Sequence, residues 1–165
     1  TPLTMPNSSL LIREARLDDP RDAESVVKLV DSYASDIIGG GKSLTPEARE
    51  RLIPALIAHP SKLIFLAYQG EESVGLALCF IGFSSFQAKP LINIHDLAVL
   101  PSHRGQGIGH RLIDAVAVRG RELGCCKMTL EVRPDNEPGL ALYKKAGFNR
   151  SMLGNYPYWM MDKSL

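Results

Sequence analysis

The chain has 165 residues, a formal net charge of +1, 45% hydrophobic residues and 22% charged residues. This length suits one domain with a real core and is short for two. A charge so close to zero gives no case for nucleic acid or an anionic membrane as partner. No run of ~18 apolar residues occurs, which excludes a membrane-spanning helix. The cysteines Cys79, Cys125 and Cys126 form no CxxC or His-rich spacing, so neither a disulfide framework nor a structural zinc is expected.

Residues 1–9 lack the basic, apolar and small-residue pattern of a signal peptide. They read as a disordered lead before one domain over residues 10–165, and a reduced, cytoplasmic protein is the expectation. Leu10 to Glu14 reads as a first strand. Asp19 then caps a helix with Pro20 at its first position, where a missing N–H is harmless. Val26, Val30, Tyr33 and Ile37 fall on one face of it, and Gly39-Gly40-Gly41 ends it. Thr45-Pro46 starts a second helix to about Ala58, with Leu52 and Leu56 inward and a kink or break expected at Pro54.

Strands follow at about 62–69 and 73–83, separated by Gly70-Glu71-Glu72, and a third apolar run covers 91–99. An amphipathic helix from about Gln106 to Leu123 keeps Ile108, Leu112 and Val116 on one face. Lys127 to Val132 is another strand. Asp135 caps a helix to about Ala146, which Gly147 terminates and Phe148 staples. Tyr156 to Lys163 forms a last strand. The order β-α-α-β-β-β-α-β-α-β predicts an α/β protein with a mixed sheet flanked by helices, its ligand lying at strand ends near a β-α-β crossover.

The chemistry concentrates where the 91–99 strand runs through Pro101 into Arg104-Gly105-Gln106-Gly107-Ile108-Gly109. Glycine lets a backbone approach a ligand closely. A helix start adds unpaired N–H groups and the positive end of its dipole, which together make an anion site. Two phosphate-binding readings fail. A P-loop needs a glycine five residues before its Gly-Lys-Ser, but Asp36 stands there ahead of Gly41-Lys42-Ser43. The dinucleotide fingerprint is G-x-G-x-x-G, whereas these glycines are spaced G-x-G-x-G.

A third reading fits. Arg104 to Gly109 resembles the Arg/Gln-x-x-Gly-x-Gly/Ala signature of the GNAT superfamily of acyl-CoA-dependent N-acetyltransferases. The resemblance takes in the Leu97-Ala98-Val99 strand upstream. Downstream it includes Asn136 and Leu142-Tyr143-Lys144-Lys145-Ala146-Gly147-Phe148, which is similar to the family's closing element. It is specific over about Ile92 to Phe148; before that, only element order matches. It implies the GNAT fold, a single domain with helices on both faces of a mainly antiparallel sheet, and acetyl-CoA as co-substrate with no metal.

The resemblance also implies roles. The pyrophosphate of CoA lies on Arg104, Gly105, Gln106, Gly107, Ile108 and Gly109. The pantetheine arm pairs with the strand edge at Leu97, Ala98 and Val99, and a main-chain N–H near Leu97 or Ala98 serves the oxyanion. Asn136 hydrogen-bonds the CoA arm, and Tyr143 protonates the leaving thiolate. The general base is His95 or Asp96, which precede the acyl site; a histidine departs from the commoner acidic residue, and a buried, hydrogen-bonded core histidine is the competing reading of His95.

Several residues keep a plain alternative. Arg104 is either a phosphate ligand, a turn-fixing residue or a surface charge. Asn136 serves either CoA or the helix start, and Tyr143 either catalysis or packing. Gly39-Gly40-Gly41-Lys42 is a flexible loop or a substrate lid. Cys125 and Cys126 read as core filling. Tyr156, Tyr158 and Trp159 line the acceptor side, a homodimer contact or the core. The expectation is transfer of an acetyl group from acetyl-CoA to a primary amine of a small molecule or peptide. The rivals are a non-catalytic acyl-CoA-binding or regulatory module and a protein-modifying acetyltransferase.

Overall fold

Strand β1 (Leu10–Glu14) pairs antiparallel with β2 (Lys62–Gln69), β2 with β3 (Glu72–Ser84), and β3 with β4 (Lys89–Val99). The fifth strand, β5 (Met128–Leu130), joins β4 in parallel and gives the order β1-β2-β3-β4-β5. The computed structural model describes residues 9–165, so the expected disordered lead, apart from Ser9, lies outside the described residues. The chain divides into two compact units, the first ending at Leu130 and the second spanning Glu131–Leu165.

In the first unit both faces of the sheet are covered, as the fold class requires. Helix α1 (Pro20–Ser35) and helix α2 (Pro46–Ala58) lie on one face, where Val26, Leu29, Val30 and Leu56 pack with Ile64, Leu66, Tyr68, Leu76 and Leu78. Helix α3 (Ile108–Glu122) covers the other, burying Ile108, Leu112, Ile113 and Val116. Glycine sets how close it comes. A Cβ on Gly75 would stand 3.0 Å from Leu112 and 3.1 Å from Ile108, and one on Gly120 would stand 3.0 Å from Ile92.

A polar network centred on Asp22 is buried on the α1 side. Asp22, fully shielded, accepts from both arms of Arg13 at 2.7 and 2.8 Å, from the Arg16 N–H at 2.8 Å and from the Tyr68 hydroxyl at 2.7 Å. Burial pushes this carboxyl's pKa up, but Arg13, the Arg16 N–H and Tyr68 outweigh it and hold the carboxyl far below the usual carboxylate range. The network fastens β1 to α1 and β2.

The element boundaries depart from expectation in places. Helix α1 ends at Ser35, before the glycines, because Asp36 takes an extended ψ of 145°. Ile37 therefore lies off the helix and is 81% exposed. Pro54 stays inside an unbroken α2. It sits on the exposed side, where water can serve the Glu50 carbonyl that loses its N–H partner. Helix α3 begins two residues later than predicted, since Gly107 is in the left-handed region. Strand β5 is three residues long, shorter than 127–132.

In the second unit, helix α4 (Glu137–Lys145) is capped by Asn136 and not by Asp135, whose carboxylate is held by Arg133 at 2.7 Å. The expected strand 156–163 reduces to β7 (Tyr156–Pro157), paired with β6 (Met152–Leu153) in a small hairpin. Tyr156, Tyr158 and Trp159 are exposed and do not join a core.

Candidate active site

Strand β4 carries an irregularity at its middle. Leu97 faces Ala77, Asp96 faces Leu78 and Ile94 faces Cys79, so His95 is the extra residue of a bulge. A bulge bends its strand and sharpens its twist. On the other edge, the ladder to β5 pairs only Ile92, Asn93 and Ile94. Past Ile94, the edge of β4 at Leu97, Ala98 and Val99 has no ladder partner among the described residues. A free strand edge is what an extended, amide-bearing ligand can pair with.

His95 is exposed, which removes the reading of it as a buried core histidine. Its ring meets Phe80 edge-on with centroids 5.8 Å apart, and His59, which caps the end of α2, approaches the same Phe80 at 4.8 Å. Phe80 packs against the core on the α1–α2 face, so His95 stands on that face. Asp96 is half-buried. Burial first, and the Asp96 charge second, push the buried Cys79 thiol up to about 12, leaving it an unreactive core group.

Beyond β4 the chain makes one turn of 3-10 helix at Pro101–His103 and enters the glycine turn. Gly105 and Gly107 have φ of +77° and +79°, a region L side chains rarely adopt, and a Cβ on either would meet open space. The turn requires glycine for its backbone, and its outer side is open to a ligand. Helix α3 follows without a side-chain cap, although α1, α2 and α4 are capped by Asp19, Thr45 and Asn136. The Arg111 N–H is the first to find a helical partner, the Gly107 carbonyl at 3.1 Å. The N–H groups of Ile108, Gly109 and His110 thus face the turn at the positive end of the helix dipole.

Arg104 is held by two acceptors. Its Nε donates to the Val99 carbonyl at 3.2 Å and its Nη2 to Asp36 at 2.8 Å. Asp36, at the C-terminal end of α1, also accepts from the Ile38 N–H at 3.0 Å, and its own carbonyl accepts from Gly39 and Gly41. Arg104 and the Ile38 N–H hold the Asp36 carboxyl below its ordinary pKa. Sequence reasoning missed Asp36. Nothing local marks it, because its partner is 68 residues away.

The second unit holds the other two candidates. Asn136 accepts from the Gly139 N–H at 3.0 Å, so its carboxamide oxygen serves the start of α4. Tyr143 lies in the last turn of that helix. Gly147, with φ +94°, closes the helix: its N–H donates to Lys144, and the Phe148 N–H donates to Tyr143 at 2.9 Å. This is a Schellman cap, with Tyr143 and Phe148 as its apolar pair, their rings edge-to-face at 6.0 Å. Cys125 and Cys126 do not fill a core. They are half-buried and line a cavity of about 170 Å³ with Gly120, Arg121 and Met128, at the opposite end of α3 from the glycine turn.

An uncapped helix start behind two left-handed glycines, next to a bulged strand with a free edge, has the features of a site for an extended anionic ligand. The family model described as "Acetyltransferase (GNAT) family" matches residues 26–148, and the chain belongs to that family, whose members transfer acetyl groups from acetyl-CoA. It is 27% identical over 143 residues to an uncharacterized N-acetyltransferase, YhfO, of Bacillus subtilis, covering 83% of this chain and 88% of that protein. It is 36% identical over 87 residues to the N-alpha-acetyltransferase RimI of Mycobacterium tuberculosis, covering 50% of this chain and only about half (52%) of the relative. The fold is also that of an aminoglycoside acetyltransferase from a soil metagenomic sample, solved in complex with sisomicin (TM-score 0.72, 20% identity, 93% of this chain and 97% of that one).

Proposed function

We propose that this chain transfers the acetyl group of acetyl-CoA to a primary amine of a small molecule or peptide, by direct attack in a ternary complex. The uncapped start of α3 behind Gly105 and Gly107 carries the reading. The N–H groups of Ile108, Gly109 and His110, with the backbone of Arg104 to Gly107, receive the pyrophosphate oxygens. The edge of β4 at Leu97, Ala98 and Val99 pairs with the amides of the pantetheine arm. The main-chain N–H of Leu97, which strand alternation turns away from β3, then donates to the oxyanion as the thioester carbonyl turns tetrahedral.

Tyr143 takes its role from the family resemblance: its hydroxyl gives a proton to the departing thiolate. Retention of a tyrosine at that place favours catalysis over a non-catalytic binding module, since binding alone needs no acid. Asn136 donates to the CoA arm through its carboxamide nitrogen, the oxygen being used by Gly139. The amine must attack neutral. His95, exposed at the bulge, takes its proton, and Asp96 is the alternative base. A small-molecule amine is the acceptor of the aminoglycoside enzyme that shares the fold, and an N-alpha amine that of the RimI relative.

The test is thermal denaturation with acetyl-CoA, CoA, ATP and NADH at equal concentrations. A ligand at ~100 times its Kd adds ~2.7 kcal/mol, a rise in Tm of roughly 5–10 °C for a domain this size. A shift with the CoA species alone supports the donor assignment and justifies screening amines for thiol release. A shift with ATP or NADH instead, or with none of the four, overturns it.

A further inference from the structure

The glycine turn does not stand alone. Its first side chain, Arg104, reaches back to the carbonyl that ends β4 and across to Asp36, tying three pieces of chain at one guanidinium. Asp36 is the better-shielded partner, 17% exposed against 51% for Arg104. It is also the organiser of the α1–α2 loop. Its carboxylate holds the Ile38 N–H and its carbonyl holds those of Gly39 and Gly41. The loop is fastened further along as well: the Lys42 N–H donates to the Ala34 carbonyl at 3.1 Å, and the Leu44 N–H donates to Asp31 at 2.8 Å. Gly39 sits so close to the end of α1 that a Cβ there would overlap the Tyr33 carbonyl.

The 36–44 loop is thus bound at several points, and an ion pair links it to the glycine turn. That pair has no net charge, so Arg104 adds little attraction for an anion; the turn's N–H groups do that. What Arg104 contributes is position, and Asp36 fixes Arg104. The geometry points to Asp36 as a positioning residue that acts through Arg104 to hold the glycine turn and the 36–44 loop in one arrangement. Occupation of the turn by the CoA pyrophosphate is thereby transmitted to the loop. This inference rests on the proposal that CoA occupies the turn.

Hydrogen exchange with and without saturating CoA, in the full chain, tests it. In the wild type, CoA slows exchange over residues 104–110 and also over 36–44. In Asp36→Asn and in Arg104→Gln, residues 104–110 still slow at saturation, but 36–44 do not. Arg104→Gln leaves the Ile38 contact of Asp36 intact, and it decides the matter if Asp36→Asn fails to fold. In steady-state assays each variant raises the KM for acetyl-CoA about fivefold or more. A 36–44 loop that slows equally in wild type and Arg104→Gln overturns the inference, as does a wild-type loop that never responds while 104–110 slow. If 104–110 do not slow in the wild type, the donor assignment itself falls and takes this inference with it.

Discussion

Phe148 fixes Tyr143 twice: its N–H donates to the Tyr143 carbonyl at 2.9 Å, and the two rings meet edge-to-face with centroids 6.0 Å apart. The tyrosine thus occupies the one position of a Schellman cap whose backbone and side chain are both held from beyond the helix end. A side chain set this way is suited to a role that needs its hydroxyl at a fixed place. Aromatic pairs of this kind are worth about 0.5–1.5 kcal/mol beyond burial.

Tyr143→Phe keeps the ring, the Phe148 contact and the cap while removing the hydroxyl. It is expected to lower kcat by ~10²-fold or more with CoA affinity near wild type. Steady-state kinetics with a thermal-shift titration of CoA check this, and unchanged turnover removes the acid role. Phe148→Ala retains the hydroxyl and loosens it, so kcat should fall less steeply than in Tyr143→Phe.

His95 stands exposed at the bulge, able to exchange a proton with a ligand on the α1–α2 face. Acting as base, it takes the amine's proton as the amine attacks, so His95→Gln should lower kcat by ~10²-fold or more while the KM for acetyl-CoA stays near wild type. Unchanged turnover in His95→Gln removes the role from His95, and the same assay on Asp96→Asn tests the alternative.

Gly107→Ala and Gly105→Ala each place a Cβ at a φ near +80°, a strain of about 1–2 kcal/mol per residue. That cost should lower Tm by several degrees. The loss of CoA affinity should exceed it, because the Cβ stands in the open space assigned to the pyrophosphate. Comparing Tm without ligand to the Tm rise with CoA gives both quantities. A full CoA-induced rise in both variants places the anion elsewhere.

Asp22 links stability to pH. Its carboxyl is bound more tightly as the anion in the folded chain, where Arg13, the Arg16 N–H and Tyr68 overcome the opposing effect of burial. The depressed folded value means that its contribution is fully present above the unfolded carboxylate pKa of ~3.9. The contribution drains away as pH falls from there through the folded value. Asp22→Asn leaves Arg13 without its counter-charge and is expected to cost about 3 kcal/mol at neutral pH. Urea denaturation from pH 7 to pH 3 should show the gap between the two proteins beginning to narrow at the acid end, without closing. A constant gap at all pH values contradicts the linkage.

What the sequence determined by itself was local. The periods of 2 and 3.6, the Asp19-Pro20 and Thr45-Pro46 helix starts, the Arg104–Gly109 turn and the Gly147 stop all act within a few residues, and the element order followed from them. Where local signals were close together they misled by a residue or two: Asp135 and Asn136 both suit a cap, and Arg133 drew Asp135 away. Tertiary structure decided the rest. The bulge at His95 exists only as a register between β3 and β4, and the free edge of β4 only because β5 stops after three residues. The Asp36–Arg104 pair and the buried Asp22 network join residues that lie far apart in the chain. Such contacts leave no periodic trace, because a side chain's partner across the fold is set by strand pairing and helix packing and not by its neighbours in sequence.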